Sequence, residues 1–147
     1  MILLDTNVLV YAMNEASPRH RPCRAVVDLA MRARMPAVLV PQVLLECLSV
    51  VTSPRRVERP LTPEVAVDQL ARLRRALPVM EVKAATMVQL EDLVRRAGRS
   101  GPRVYDLFLA AQMRVHGIRE LCTENGRDFA GLGPAVRSPA QVLADYA

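Results

Sequence analysis

The stretch that decides the fold is the first fifteen residues, Met1 to Glu15, MILLDTNVLVYAMNE. Ile2 to Leu4 form a short, wholly apolar run that stops at Asp5, and Thr6 and Asn7 follow before the apolar residues resume. An unbroken apolar run of this length fits a parallel strand covered on both faces, since an alternating pattern would be expected if one face met water. In open α/β sheets the ligand site lies outside the carboxyl ends of the strands, and that rule puts Asp5 at the functional edge.

Working outward, the chain alternates strand and helix signals. Ala37 to Val40 is a second strand candidate, Val79 to Val82 a third, Ile118 to Cys122 a fourth and Ala135 to Arg137 a weak fifth. Between them, Ser17 with Pro18 reads as the start of a helix carrying Cys23, Val26, Val27, Ala30 and Met31 on one face. Pro41 opens a helix to about Val51, and Thr62 with Pro63 opens another to about Ala76. Further helices are expected from about Ala84 to Ala97, from about Val104 to Val115, and after Ser138 and Pro139. This alternation predicts an α/β fold, a mainly parallel sheet of four to five strands sandwiched between helices in three layers.

With 147 residues, 51% of them hydrophobic and 24% charged, residues 1–147 are expected to form a single domain with a full core. The formal net charge is +5, and all but one of the basic residues are arginine, Lys83 being the exception. Guanidinium groups fork onto phosphates, so a polyanionic partner fits, although an Ala-, Val- and Arg-rich composition can also follow from codon bias. The chain has no Trp and only 3% aromatic residues, so contact with nucleic acid would be led by phosphates and not by base stacking. Cys23, Cys47 and Cys122 are odd in number and unpatterned, which suggests buried, reduced thiols in a cytoplasmic protein. The N-terminus does not resemble a signal peptide, and no apolar stretch is long enough for a membrane span. His20 and His116 have no partner at metal or triad spacing and read as surface or loop residues.

Three further acids stand where acids are expensive. In PQVLLECLSVVT, Glu46 shares a helix side with Val43 and Val50; in VYDLFLAAQMRV, Asp106 is followed by Leu109, Ala110 and Met113 on one face. Asp128 follows the fourth strand candidate at the same sheet edge as Asp5. A carboxylate on a core-facing stripe costs several kcal/mol, on the order of the penalty for any unpaired buried charge, unless it is paired, protonated or bound to a cation. An internal ion pair with arginine is one resolution for each acid. Convergence of Asp5, Glu46, Asp106 and Asp128 is another: their mutual repulsion would be relieved by a hard divalent cation, and all-oxygen donors favour Mg2+ or Mn2+. Such an ion can activate water against a phosphodiester. Glu124 and Asp92 read instead as solvent-exposed acids.

At this point LLDTNVLVYA, VLLEC, YDLFLAAQM and LCTENGRDF together resemble a PIN-domain ribonuclease of the VapC toxin group, and the resemblance covers essentially the whole chain. It implies a PIN-like fold, Mg2+- or Mn2+-dependent endoribonuclease activity, a homodimer, and inhibition by a cognate VapB-like antitoxin. By the same resemblance Asp5, Glu46 and Asp106 are acidic metal ligands and Thr6 is the adjacent hydroxyl. The last motif departs from the family pattern: where many members carry an acid this chain has Asn125, so Asp128 is taken as the fourth acid and Asn125 as an orienting or water-mediated contact. Arg55 and Arg56 after the Glu46 helix, and Arg99 and Arg103 before Asp106, are candidates for the RNA backbone, against the alternative of a solvated charged face. Two other functions compete. A haloacid dehalogenase phosphatase also begins with a strand ending in Asp, but wants a second Asp where this chain has Asn7. A catalytically inactive PIN-like module that binds RNA or protein would need the same surface without the chemistry.

Overall fold

The computed structural model describes residues 1–146. The strands are β1 (Ile2–Leu4), β2 (Ala37–Val38), β3 (Glu120–Cys122) and β4 (Ala135–Arg137); the helices are α1 (Thr6–Met13), α2 (His20–Met31), α3 (Pro41–Val51), α4 (Pro63–Ala76), α5 (Ala85–Ala97), α6 (Val104–His116) and α7 (Pro139–Tyr146). The four strands lie in the order β2-β1-β3-β4, every pair parallel. Ile2 is in register with Ala37 on one side and Glu120 on the other, and Leu121 aligns with Val136. Helices flank the sheet to make the expected three-layer α/β/α sandwich. Helix α1 packs on α2 and α3, α2 on α7, and α5 on α6.

All three residues of β1 are buried, as an apolar strand in the middle of a parallel sheet should be. Parallel pairing demands a crossover between neighbours, and α1 with α2 supply it between β1 and β2. Several local signals act as expected. Thr62 caps α4 through its hydroxyl, which accepts from Val65 N at 3.4 Å, with Pro63 in the first turn. Pro41 likewise opens α3, and Gly117, at φ 66°, closes α6 in the left-handed conformation.

Three elements differ from the sequence reading. Val79 to Val82 is not a strand: Val79 makes one parallel bridge to Leu39, after which Glu81, Val82 and Lys83 turn to solvent without pairing to a strand. Ala135 to Arg137, by contrast, though the weakest candidate, is a strand with the expected bounds, because β3 offers it three residues in register. Helix α1 shows no amphipathic period of its own, since every residue after Asn7 is apolar. It starts because Asp5, in extended backbone, accepts the Thr6 amide at 2.7 Å as an N-cap. Ser17 and Pro18 form the turn before α2 and not its cap: the Ser17 carbonyl accepts from His20 N, and α2 begins one residue after Arg19.

Candidate active site

Asp5, at the carboxyl end of β1, is buried, with 7% of its surface exposed. Its Oδ1 accepts from the Thr6 amide at 2.7 Å; its Oδ2 accepts from Asn7 Nδ2 at 2.7 Å and from the Thr123 hydroxyl at 2.6 Å. Thr123 follows β3 directly and is itself buried, so two adjacent strand ends fix one carboxylate. Its hydroxyl oxygen also accepts from Asn7 Nδ2 at 2.9 Å and Asn125 N at 3.0 Å, while Asn7 Oδ1 accepts from Glu124 N at 3.1 Å. Asn7 is therefore a strut under Asp5 and not a displaced second acid.

Glu46 lies one helical turn beyond Gln42 on α3. Its Oε2 accepts from the Thr6 hydroxyl at 3.2 Å and its Oε1 from Gln42 Nε2 at 2.7 Å. Asp106 projects from the first turn of α6, and Asp128 from the 3-10 turn Gly126–Phe129 that follows β3. That turn is pressed on β4: a Cβ on Gly126 would sit 2.9 Å from Val136 Cγ1, so only glycine lets the turn approach this closely. Asp5, Thr6, Glu46, Asp106, Asn125 and Asp128 line one cleft of about 310 Å³, together with Asn7, Tyr11 and Arg56. Four acids remote in sequence face a common space.

Their electrostatics agree with that placement. Burial raises the Asp5 carboxyl to about 6, with the nearby Glu46 charge adding to it and the Thr123, Thr6 and Asn7 hydrogen bonds opposing it. Burial is also the largest cause raising Asp106 to about 6, followed by the charges of Asp128, Asp5 and Glu46, while Arg99 pulls the other way. Among the described residues none of the four acids is joined to a basic side chain in an ion pair, which removes the internal salt-bridge alternative. Nor, among the described residues, do three His, Cys, Asp or Glu side chains form a ready-made metal cage. The acids line one cleft without closing into a preformed cage.

The remaining candidates separate. Arg56 lines the cleft. Arg99 hydrogen bonds to the carbonyl oxygens of Asp128 and, at 3.5 Å, of Ala130, so it braces the Asp128 turn. Arg103 borders a different hollow, shared with Arg99, and Arg55 is exposed beside Arg56. Glu124 and Asp92 are half-buried and not free in solvent: Glu124 lies 3.8 Å from Arg19, and Asp92 pairs with Arg96 at 2.8 Å and Arg114 at 3.5 Å. His20 and His116 are half-buried helix-end residues, bound to the carbonyls of Tyr11 and Glu81 and not placed in loops. The three thiols are free, buried and pushed up to about 12 by burial, which leaves them unreactive. No helix among the described residues is long and apolar enough to cross a membrane.

Sequence reasoning passed over Asn7 as a support, Thr123, Gln42 and Gln112. Position offered a signal for Thr123, which directly follows a strand end, and Gln42 and Gln112 each stand as an amide within an apolar helical run.

A family model described as PIN domain matches residues 2–133. The chain belongs to the PIN-domain family. This PIN domain is 34% identical over 136 residues to the ribonuclease VapC24 of Mycobacterium tuberculosis, covering 90% of this chain and 92% of that one. It is 33% identical over 141 residues to the ribonuclease VapC48 of the same organism, with coverages of 92% and 94%. Those likenesses place it in the VapC group and leave no role for the phosphatase reading. Among solved structures, the M. tuberculosis toxin VapC20 superposes with a TM-score of 0.66 at 23% identity, covering 89% of this chain and 95% of that one. VapBC2 of Rickettsia felis, solved bound to a promoter DNA fragment, superposes at 0.67 and 19% identity, covering 94% and 98%. At such identities these structures speak for the fold.

Proposed function

We propose that this PIN domain is an endoribonuclease that hydrolyses RNA phosphodiester bonds with the help of Mg2+ or Mn2+, acting in the cytoplasm as the toxin of a toxin-antitoxin pair. The observation that carries the reading is the cleft itself: four carboxylates turned to one space with no ion pair of their own. A bound cation of this kind supplies Lewis-acid charge and acidifies a water molecule. Hard cations such as Mg2+ keep several waters and take one or two carboxylates directly, which suits all-oxygen donors spread across an open cleft.

Asp5 is the central ligand in this reading. A carboxylate offers about four lone-pair directions, and three are used by Thr6, Asn7 and Thr123, so the group is locked in orientation with one direction left for the cation. Asp106 faces it, Glu46 is held by Thr6 and Gln42, and Asp128 completes the acids at the open side with Asn125 as an orienting contact. Arg56, which lines the cleft, would receive a phosphate of the backbone, with Arg55, Arg99 and Arg103 as outlying positive charge.

VapC20 is described as a toxin that cleaves the sarcin-ricin loop, and VapC24 and VapC48 as ribonucleases; RNA as the substrate class follows from that kinship. Several solved relatives are toxin-antitoxin complexes, which supports a VapB-like antitoxin as partner, and a homodimer is the expected assembly.

The test is incubation of a total RNA pool with the purified chain, with Mg2+, with Mn2+ and with chelator, followed by mapping of the new ends. Discrete cleavage that needs the metal and vanishes in Asp5→Asn, with the fold retained, is the expected result. Equal RNA binding by both proteins with no cleavage under either metal would make the chain a binding module instead.

A further inference from the structure

Behind Glu46 runs a chain of side-chain amides. Gln112 on α6 has no exposed surface and sits among Leu109, Ala110, Ala111 and Met113, all buried. Its Nε2 donates to Gln42 Oε1 at 2.7 Å and weakly to Phe108 O at 3.4 Å, while its own Oε1 finds no partner. Gln42, half-buried in the first turn of α3, uses both hydrogens of its Nε2: one goes to Glu46 Oε1 at 2.7 Å, the other to the backbone carbonyl of Tyr105 at 2.9 Å. Tyr105 immediately precedes Asp106. One amide thus grips the carboxylate of Glu46 and the backbone beside Asp106 at once.

The chain has a direction. Glu46 Oε1 and Tyr105 O are both acceptors, so Gln42 must present its nitrogen to them; its oxygen then faces inward, and Gln112 must meet that oxygen with a donor. Turning either amide over would set oxygen against oxygen or nitrogen against nitrogen. A buried amide oxygen left without a partner is costly. An apolar residue at position 112 would avoid that cost, so its glutamine needs a reason other than packing.

We infer that Gln42 and Gln112 are positioning residues of the cation site: Gln112 sets the direction of the Gln42 amide, and Gln42 holds Glu46 and the Asp106 turn at a fixed separation across the cleft. The inference rests on the reading of these acids as a divalent-cation site. Near-isosteric apolar replacements separate this role from packing. Mn2+ affinity is measured by electron paramagnetic resonance on the RNA-free protein, alongside thermal unfolding with chelator, for wild type, Gln42→Met, Gln112→Leu and the double variant.

Gln42→Met weakens Mn2+ binding by about tenfold, in the range seen when residues that orient metal ligands are removed. Gln112→Leu weakens it less, with an unfolding temperature equal to or above that of wild type, because an unpaired buried oxygen is gone. Since Gln112 acts through Gln42, the double variant binds Mn2+ no more weakly than Gln42→Met alone. Wild-type affinity in Gln42→Met, or losses that multiply in the double variant, would overturn the inference while wild type still binds Mn2+ and Asp5→Asn does not. Failure of wild type itself to bind Mn2+ would remove the cation site and this inference with it.

Discussion

Replacing Asp5 with asparagine should make the metal-free protein more stable at neutral pH, and the gain should fade in acid. Burial raises this carboxyl from 3.8 to about 6. Between those two values the folded state holds a proton that the unfolded state has released, so stability falls as pH rises through the window, and above about 6 the full penalty is present. At about 1.4 kcal/mol for each pH unit between the two values, the cost is about 3 kcal/mol at pH 7.5. At pH 4.5 the folded carboxyl is protonated and the unfolded one largely ionised, and the same linkage leaves a cost of about 1 kcal/mol. Asparagine carries no such penalty at either pH. It does bring an amide nitrogen towards Asn7 Nδ2 and Thr123, where Asp5 accepted two hydrogen bonds, and that mismatch costs about 1–2 kcal/mol. The variant is then more stable than wild type by about 1–2 kcal/mol at pH 7.5, and equal or slightly weaker at pH 4.5. Urea unfolding at both pH values in chelator measures the difference, and the quantity that matters is the change of about 2 kcal/mol between them. Adding Mn2+ at pH 7.5 should stabilise wild type and leave the variant unmoved, since only the former gains a bound ion. An Asp5→Asn protein with the same pH dependence as wild type would refute the claim that Asp5 is a buried, strained carboxylate.

Thr123→Val keeps shape but removes the hydroxyl that gives to Asp5 and accepts from Asn7 and Asn125 N; it should cost about 2–3 kcal/mol in urea unfolding. Because that hydrogen bond lowers the Asp5 pKa, the acid limb of the Mn2+-binding pH profile should also move to higher pH. Arg56→Ala should weaken RNA binding and flatten its log-log salt dependence by about 0.7, the increment for one phosphate contact on a single strand, with Arg55→Ala changing it less. Filter binding of Asp5→Asn carrying each arginine change, from low to high salt, makes the comparison without cleavage.

Much of the fold was legible in local signals. The apolar β1 run ending in a carboxylate, Pro41 and Pro63 opening helices, and Gly117 ending one all act within a few residues of themselves, and the chain obeys them. The elements that misled were those whose fate lies with a neighbour. Val79 to Val82 has the composition of a strand but only Leu39 to meet, whereas Ala135 to Arg137, a weaker signal, is the strand it was expected to be because β3 runs alongside it. Helix α1 depends on a cap supplied by Asp5, a residue read for its chemistry and not for its hydrogen bond.

By itself the sequence determined which acids are expensive: Asp5, Glu46 and Asp106 stand among hydrophobes, and a carboxylate there must be compensated. What compensates them was beyond its reach, because an ion pair and a shared cation look alike until distances exist. Only the tertiary structure decided that Asp5 and Thr123, 118 residues apart, share a hydrogen bond, that Arg99 braces the Asp128 turn by its carbonyls, and that two glutamines back Glu46. The physical reason is that desolvation follows from local burial patterns, which a chain writes in order, whereas hydrogen bonding and Coulomb energy follow from separation in space, which parallel crossovers set by bringing distant strand ends to one edge.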